Sequence, residues 1–489
     1  MDRRSAGILL SVTALPSRHG IGDFGDNAKK FIDSLDAMGF RVWQILPLNP
    51  LGYGNSPYQP YSSFAIDEQF VSLDALTKDG LLDEVPDFMP DAPSVQYMAV
   101  KAFKGEYLKQ AFEKYLSLHG EKEIQKFAKG HPWVSDWAVF MTFKKKYPCS
   151  WNEWPKEAQD WIKTRPALDE ETKRACLYEQ WLQMILYRQW DEVHAYAKKK
   201  DIKIIGDIPF YVGFDSCDVW TSQDTFLLDP ESHNPTVVAG VPPDYFSEVG
   251  QRWGNPIYNW AKLKDNGFDF VLNRIHLNSV LYDILRLDHF RAFDTYWEIP
   301  ASCPTAVDGE WKEPPGYEFF DLLFSKYPDL DIIAEDLGDL RPEVLVLRDH
   351  YHFPGMNVIQ FTFHDYELLH KGDWDEENSV AYLDTHDNDT MLSYFYLLPE
   401  EEQGAWIHRL GELGISEGSV VDRMMTYCLR KSAKLAVLSM QDILNLDVQA
   451  RTNVPGTVND RNWTWKMASF DEFLARADFL KGLIEESGR

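Results

Sequence analysis

The chain has 489 residues, of which 49 are Lys or Arg and 77 are Asp or Glu, so its formal net charge is −28. A surface this acidic repels phosphate backbones and anionic lipid, which argues against nucleic acid and membrane surfaces as partners. The hydrophobic fraction of 44% is that of a globular protein with a large core.

The cysteines and the N-terminus predict a cytoplasmic protein. The cysteines are odd in number and lack CxxC or Cys/His spacing, which argues against a disulfide framework and a zinc site; they are Cys149, Cys176, Cys217, Cys303 and Cys428. Arg3 and Arg4 followed by the apolar run 7–15 imitate a signal peptide, but no small-residue cleavage site follows. No run approaches the roughly 20 apolar residues of a membrane span.

Residues 1–66 predict the first two strands of a parallel α/β fold. The segment GILLSV (7–12) is typical of a buried strand, a helical pattern then ends at Gly39, and RVWQILP (41–47) predicts the second strand. Strand, helix and strand in short succession is the opening of such a fold. The next loop, LGYGNSPYQPY (51–61), is dense in Gly, Pro and Tyr, which is also typical of a proline-braced turn.

Residues 67–200 predict a mostly helical insertion that ends in a barrel helix. Helical periodicity covers Gln96–Leu118, Trp133–Tyr147 and Thr172–Lys199, without a convincing barrel strand between them. The aromatic side chains at this spacing are more typical of a core than of a ligand-binding surface; they include Phe103, Tyr107, Phe112, Trp137, Phe140, Trp181 and Trp190.

Residues 201–270 predict a third strand followed by a loop-rich insertion. The strand, KIIGDIP (203–209), lies in residues 201–212 and has Asp207 near its end. Residues 213–270 would lie over the carboxyl ends of the strands. A loop this long is usually functional or disordered, and its many aromatic residues argue against disorder.

Residues 271–489 predict barrel strands four to eight. These strands are the run from Leu285, the run that ends at Glu335, MNVIQF (356–361), the run that leads to Asp387, and KLAVLSMQDIL (434–444). Eight strands with intervening helices predict a (β/α)8 TIM barrel, an α/β fold of about 250 residues in its bare form. The remaining length belongs to a helical insertion between strands 2 and 3 and a loop-rich insertion between strands 3 and 4.

Three of these strands end in carboxylates. Asp288, Glu335 and Asp387 each follow a short apolar run. The carboxyl ends of barrel strands converge on one face, where catalytic residues of this fold lie, so the three side chains could share one pocket. Each residue alone is equally typical of a cap at a strand-to-helix junction. Three buried carboxylates without a function would be costly.

The neighbours of the carboxylates suit two different protonation states. Arg286 lies two residues before Asp288, so the two side chains share a face and the guanidinium can keep Asp288 ionised. Glu335 has no adjacent Arg or Lys and is freer to hold a proton. One protonated and one ionised carboxyl group in the same pocket could serve as general acid and nucleophile.

Four segments resemble the signature blocks of the amylomaltase (4-α-glucanotransferase, disproportionating enzyme) family: GQRWGNPIY (250–258), LRLDHFRAF (285–293), AEDLG (334–338) and THDN (385–388). The blocks keep their order, and the resemblance extends from GILL near the start to NVPGT and NW near the end. It implies a transferase that moves α-1,4-glucan segments between maltooligosaccharide or α-glucan donors and acceptors by a retaining mechanism, without a cofactor. The sequence departs from the family pattern at LLSVTALP, where a His-Pro pair commonly precedes the Thr, and at Ala292, where Gly is usual.

The resemblance implies a role for each candidate. Asp288 would be the nucleophile, Glu335 the general acid/base, and Asp387 the residue that grips sugar hydroxyls while the ring distorts. Ser56 and Tyr58, in the NSPYQ block, would line donor-side sugar sites.

Further residues are expected to bind substrate. His386 suits a hydrogen bond to a sugar hydroxyl, although a satisfied core histidine is the alternative. Trp253 and Tyr245 are candidates for stacking on pyranose faces, or for plugging the barrel mouth. Asp207 and Asp244 are further candidates for which a capping or turn role is equally consistent.

Three alternatives remain at this stage. Asp384, His386, Asp387 and Asp389 form an oxygen-and-imidazole cluster that could bind a divalent ion, but the cluster lacks the spacing of a calcium loop, and we predict no metal. An α-amylase-like retaining hydrolase could use the same carboxylates, and the GQRWGNPIY block favours transfer instead. A non-catalytic glucan-binding protein is the third alternative, against which the three intact carboxylates argue.

Overall fold

A computed structural model of the chain describes residues 3–243, 247–364 and 376–489. These residues contain twelve β-strands: β1 (Ser5–Leu9), β2 (Val42–Gln44), β3 (Lys203–Ile208), β4 (Val237–Val241), β5 (Gln251–Pro256), β6 (Ile284–Leu287), β7 (Tyr296–Pro300), β8 (Glu310–Lys312), β9 (Ile332–Ala334), β10 (Gly355–Val358), β11 (Ser379–Tyr382) and β12 (Leu435–Ser439).

Eight of the strands form a parallel barrel. Their order is β10-β11-β12-β1-β2-β3-β6-β9, and each neighbouring pair runs parallel. The outermost strands β9 and β10 also meet, because the Ala334 N–H donates to the carbonyl oxygen of Pro354 at 3.0 Å. The sheet therefore closes on itself, and the predicted (β/α)8 barrel is confirmed.

The barrel strands are apolar on both faces, as strands covered on both sides must be. Alternate side chains point inward, where Leu9, Ile205, Ile284 and Val380 belong to one buried cluster. The outer face packs on helices and loops. At Gly206 in β3, a Cβ atom would lie 2.0 Å from the ring of Tyr282, so this close contact requires glycine.

Helices connect the strands. The longer ones are Asp26–Met38, Tyr97–His119, Lys122–Gly130, Pro132–Lys146, Glu170–Lys199, Asp269–Leu281, Gly316–Lys326, Pro342–His350, Glu400–Glu412, Val420–Arg430 and Ala477–Ser487. The shorter ones are Leu73–Lys78, Lys156–Gln159, Trp161–Thr164, Cys217–Thr221, Trp260–Asp265, Ile359–Thr362, Met391–Leu397, Met440–Ile443 and Asp471–Ala475. In the described part of the chain, none has the length and apolar character needed to cross a bilayer.

The helices between β2 and β3 pack around buried aromatic side chains. Trp137, Phe140, Trp181 and Trp190 are buried, and the rings of Phe112 and Trp181 lie 5.6 Å apart. These aromatic residues therefore form a core rather than a sugar-binding surface.

A second sheet was not predicted. The strands β5-β4-β7-β8 form an antiparallel sheet, in which Val237 of β4 pairs with Pro300 of β7. Two of its strands precede the barrel strand β6 and two follow it. The pairing joins residues some sixty positions apart, so no local pattern announces it.

Two of the predicted barrel strands continue as helices before their predicted ends. The predicted strand 356–361 ends at Val358, where the helix Ile359–Thr362 begins. The predicted strand 434–444 ends at Ser439, where the helix Met440–Ile443 begins. In both segments the apolar run continues into a buried helical turn, which periodicity alone does not distinguish from a strand.

Candidate active site

The carboxyl ends of neighbouring barrel strands bring the candidate carboxylates together. Asp288 directly follows β6, and its N–H donates to Ile208 O of β3 at 3.1 Å. Glu335 directly follows β9, and its N–H donates to Leu287 O at 3.0 Å. The hydrogen-bond ladder thus continues one residue beyond each strand and holds both side chains at the same end of the barrel.

Arg286 lies at the centre of the site and is 3% exposed. Its Nη1 donates to both carboxylate oxygens of Asp207, at 2.8 and 2.7 Å, and to Asp288 Oδ1 at 3.0 Å. Arg286 and Asp288 therefore lie close together, as predicted, but the same guanidinium also binds Asp207.

Tyr58 links this cluster to His386. Its hydroxyl donates to Asp207 Oδ2 at 2.8 Å and lies 2.7 Å from His386 Nε2. Because the hydroxyl proton goes to the carboxylate, the His386 Nε2–H must donate to Tyr58. The two rings stack with centroids 5.2 Å apart at 12°, so the loop after β2 is fastened to the loop after β11.

Three residues that were not among the predicted site residues support Asp387 and Tyr58. Asn453 Nδ2 donates to Asp387 Oδ1 at 2.6 Å, Arg451 Nη2 donates to the Asp387 carbonyl at 2.9 Å, and the Trp463 ring lies 5.6 Å from that of Tyr58. Asn453 and Trp463 lie in the NVPGT and NW segments that resemble the family, so this resemblance could have identified them from the sequence.

The backbone of His289 holds Glu335. The His289 N–H donates to Glu335 Oε2 at 2.7 Å, in a left-handed backbone conformation with φ 50°. A non-glycine residue in that region is uncommon and is typical of functional sites. The His289 ring meets Trp253 edge to face, with centroids 4.9 Å apart, so β5 of the antiparallel sheet reaches the site.

Burial dominates the protonation of the pair. Burial raises the pKa of Asp288 to about 7, against the opposing charge of Arg286. Burial and the neighbouring charge of Asp288 together raise the pKa of Glu335 to about 8. The expectation that Arg286 alone keeps Asp288 ionised is therefore too simple, because Asp207 also binds this guanidinium. Near neutral pH the pair holds about one proton.

The two histidines of the site are neutral near pH 7. Burial lowers the pKa of His289 to about 4 and lowers that of His386 as well. Burial raises the pKa of Tyr58 well above its usual value, so its hydroxyl keeps its proton.

The remaining candidates occupy different positions. Ser56 Oγ accepts the Tyr58 N–H at 3.2 Å and so braces the turn. Trp253 is half-buried, and its carbonyl accepts Gln59 Nε2–H at 3.2 Å. Asp244 and Tyr245 lie outside the described residues.

The side chains of the metal alternative have separate protein partners. Asp387 binds Asn453, as described above, and Asp389 Oδ2 lies 3.4 Å from Arg451 Nη1. Asp384 is buried, with 2% of its surface exposed. Within residues 3–243, 247–364 and 376–489, no group of three or more His, Cys, Asp or Glu side chains is arranged to hold a metal ion.

Comparisons with known proteins agree with this architecture. A family model described as 4-alpha-glucanotransferase matches residues 10–471. The 4-alpha-glucanotransferase of Synechocystis sp. is 43% identical over 485 residues, which cover 95% of this chain and 94% of that protein. The 4-alpha-glucanotransferase of Aquifex aeolicus is 39% identical over 492 residues, which cover 99% of each.

A solved structure extends the likeness to three dimensions. The amylomaltase from Streptococcus agalactiae, determined in complex with acarbose, superposes with a TM-score of 0.94 at 33% identity, over 100% of both chains. Similarity of this extent, in sequence and in structure, spans nearly the whole chain. The chain therefore belongs to the 4-alpha-glucanotransferase family.

Proposed function

We propose that this enzyme transfers α-1,4-glucan segments between maltooligosaccharides by retaining double displacement. The observation that carries the proposal is the pairing of Asp288 and Glu335 at the ends of adjacent strands, with raised pKa values and about one proton between them. A retaining glycosidase needs one carboxylate as nucleophile and one carboxylic acid as proton donor on the same bond.

In the first step Asp288 attacks the anomeric carbon of the donor sugar. A bond forms between that carbon and a carboxylate oxygen of Asp288 while the glycosidic bond breaks, and Glu335 gives its proton to the leaving oxygen. Arg286 at 3.0 Å favours the ionised form of Asp288 over that of Glu335. The Asn453 hydrogen bond orients the Asp387 carboxylate, which we assign to the sugar hydroxyls.

In the second step a hydroxyl group of the acceptor sugar attacks the glycosyl ester, in the place that water takes in a hydrolase. Glu335, now ionised, takes the proton of the acceptor hydroxyl. The oxygen of that hydroxyl attacks the anomeric carbon of the glycosyl ester, and the bond to Asp288 breaks. The His289 N–H stabilises the ionised form of Glu335 in this half of the cycle. Transfer requires a bound acceptor of high effective molarity and limited access of water.

The same proposal assigns the substrate contacts. Tyr58, His386 and Asp207 form one side of the donor pocket, and Ser56 holds the turn that presents Tyr58. Trp253 lies beside His289, the residue after the proposed nucleophile, and is therefore close to the position of the glycosyl ester. We assign its indole face to stacking on an acceptor sugar ring.

Incubation with maltotriose tests the activity. Transfer should produce glucose together with longer maltooligosaccharides while total reducing ends stay nearly constant, because each broken bond is remade. Chromatography of the products and a reducing-end assay measure both quantities. A steady rise in reducing ends without longer products would identify a hydrolase, and no change in either would identify a glucan-binding protein.

Variants of the three carboxylates test their roles. Asp288→Asn, Glu335→Gln and Asp387→Asn should each lose at least about 10³-fold in kcat while the circular dichroism spectrum stays that of the wild type. Glu417→Ala, an exposed carboxylate that precedes the helix Val420–Arg430, is the matched control. Near-normal turnover by Asp288→Asn would refute the nucleophile assignment. Treatment with a chelator should leave the rate unchanged, and a large loss would revive the metal alternative.

A further inference from the structure

One guanidinium, that of Arg451, joins the loop after β11 to the loop after β12. Its Nη2–H donates to the carbonyl oxygen of Asp387 at 2.9 Å, and its Nε–H donates to the carbonyl oxygen of Asn453 at 2.8 Å. Its Nη1 lies 3.4 Å from Asp389 Oδ2. The three nitrogens of one planar group thus contact three separate acceptors, two in the backbone and one in a side chain.

These contacts complete a ring of hydrogen bonds with Asp387. Asn453 Nδ2 donates to Asp387 Oδ1 at 2.6 Å, and Asn453 is 8% exposed. The carbonyl groups of the two residues therefore bind one guanidinium, while the side chain of one binds the carboxylate of the other. Because Arg451 sets the distance between the two backbones, its loss would lengthen or bend the hydrogen bond that orients the Asp387 carboxylate.

Each of the two loops also has hydrogen bonds of its own. The Trp463 N–H donates to the carbonyl oxygen of Thr452 at 2.7 Å, which closes the loop after β12. The Thr385 N–H donates to Asn388 Oδ1 at 2.9 Å, which closes the loop after β11. Removal of the Arg451 side chain should therefore loosen the junction between the loops without unfolding either of them.

The contacts of Arg451 suit a guanidinium rather than an ammonium group. A guanidinium presents its N–H groups in fixed directions in one plane, whereas the ammonium of lysine is a single point charge on a flexible stem. A lysine at this position could not reproduce the three contacts together. The side chain of Arg451 is 21% exposed, so a small cation could enter from solvent after its truncation.

We propose that Arg451 is a positioning residue that holds Asn453 and Asp387 at the separation needed for the Asp387 carboxylate to bind the sugar hydroxyls. The contacts that carry this inference all go to protein groups, and its consequence for the reaction rests on the role proposed above for Asp387. That role belongs to the step in which the sugar ring distorts. Loss of Arg451 should therefore lower kcat more than it raises KM.

Kinetics of maltotriose disproportionation test the positioning role, at temperatures well below the melting temperature of each variant. Arg451→Ala should lose about a hundredfold in kcat, with KM changed less than about threefold. Arg451→Lys should lose nearly as much. Arg174→Ala, the matched control, removes a guanidinium that binds Glu113 at 2.6 Å in the helical insertion, and it should keep the wild-type kcat.

Chemical rescue tests the geometry of the guanidinium. Ethylguanidinium at millimolar concentration should restore about tenfold of the lost kcat in Arg451→Ala, because it replaces the planar group that the substitution removed. Ethylammonium at the same concentration should not. Equal restoration by the two cations, or full activity of Arg451→Lys, would overturn the proposed geometry, because either result would show that a single charge is sufficient.

A double-mutant cycle tests whether Arg451 acts through Asn453. Arg451→Ala/Asn453→Ala should lose no more than about threefold in kcat beyond the larger of the two single losses, because both side chains act on Asp387. Multiplication of the two single losses would overturn this connection. Asp387→Asn is measured beside these variants. Near-normal turnover by Asp387→Asn would overturn the role proposed for Asp387 and this inference with it, whereas a large loss there beside wild-type kcat in Arg451→Ala would overturn this inference alone.

Discussion

At the scale of single residues, Arg286 forms hydrogen bonds with two carboxylates. Asp207 accepts two hydrogen bonds from its Nη1 and Asp288 accepts one. The side chain of Asp207 is fully buried, so its charge is poorly screened and attracts the guanidinium strongly. Burial, together with the charge of Asp207, raises the pKa of Asp288 to about 7. The pKa of Glu335 is raised to about 8, which agrees with the proposed roles of Asp288 as nucleophile and Glu335 as acid.

The pH dependence of kcat/KM follows from this pair. Double displacement needs Asp288 ionised, so the rate should rise as pH increases through about 7. It needs Glu335 protonated, so the rate should fall as pH increases through about 8. Initial rates of maltotriose disproportionation should give a narrow bell-shaped profile. A rate that stays constant well above pH 8 would contradict the assignment of Glu335 as the acid.

Asp207→Asn separates the two limbs of that profile. The charge of Asp207 raises the pKa of Asp288, and its removal also leaves Arg286 free for Asp288. The acidic limb should therefore move to lower pH, while the alkaline limb moves much less. The position of each limb, rather than the absolute rate, is the quantity measured, since this variant also replaces the carboxylate that accepts the Tyr58 hydroxyl proton.

At the scale of elements, the antiparallel sheet carries two tryptophans in different surroundings. Trp253, on β5, meets the ring of His289 beside the active site. Trp311, on β8, is 38% exposed at the sheet edge and stacks against the guanidinium of Arg291 at 3.9 Å. The sheet thus brings one indole to the site and leaves the other outside the proposed acceptor position.

Trp253→Ala should weaken acceptor binding. Loss of an indole face that stacks on a sugar should raise the acceptor KM about tenfold and increase the fraction of glycosyl ester that water captures. Product analysis with maltotriose as donor and added glucose as acceptor measures both effects. Trp311→Ala, the matched control, should leave them unchanged. Equal behaviour of the two variants would remove Trp253 from the acceptor site.

At the scale of the whole molecule, the barrel and the helical insertion share one continuous core. Trp181, in the helix Glu170–Lys199, and the outward-facing Ile8 of β1 belong to the same buried cluster. The insertion therefore contributes to the stability of the barrel. Its aromatic residues have no described contact with the three carboxylates.

Trp181→Ala should separate stability from catalysis. Truncation of this fully buried ring should lower the free energy of unfolding by about 3–5 kcal/mol. The kcat of the folded protein should stay that of the wild type. Thermal melting and initial rates at low temperature measure the two quantities. Lys198→Ala, an exposed position in the same helix, is the control. A loss of kcat without a loss of melting temperature would connect the insertion to the reaction.

Sequence by itself determined the barrel and the positions of its carboxylates, because these signals are local. Short, mostly apolar runs predicted β3, β6 and β11. A polar residue at the end of each run predicted that the site lies at the carboxyl ends of the strands. The relation of Arg286 to Asp288 is local as well, since residues two apart on a strand share a face.

Tertiary structure alone decided which groups meet across the barrel mouth. The Tyr58–Asp207 and Tyr58–His386 hydrogen bonds join residues 149 and 328 positions apart, and the Asn453–Asp387 bond joins residues 66 apart. No periodicity carries such pairings, because they depend on where eight strands close. The same closure brings the partly buried side chains of Asp288 and Glu335 together, and the loss of solvation there raises their pKa values, which sequence neighbours do not reveal.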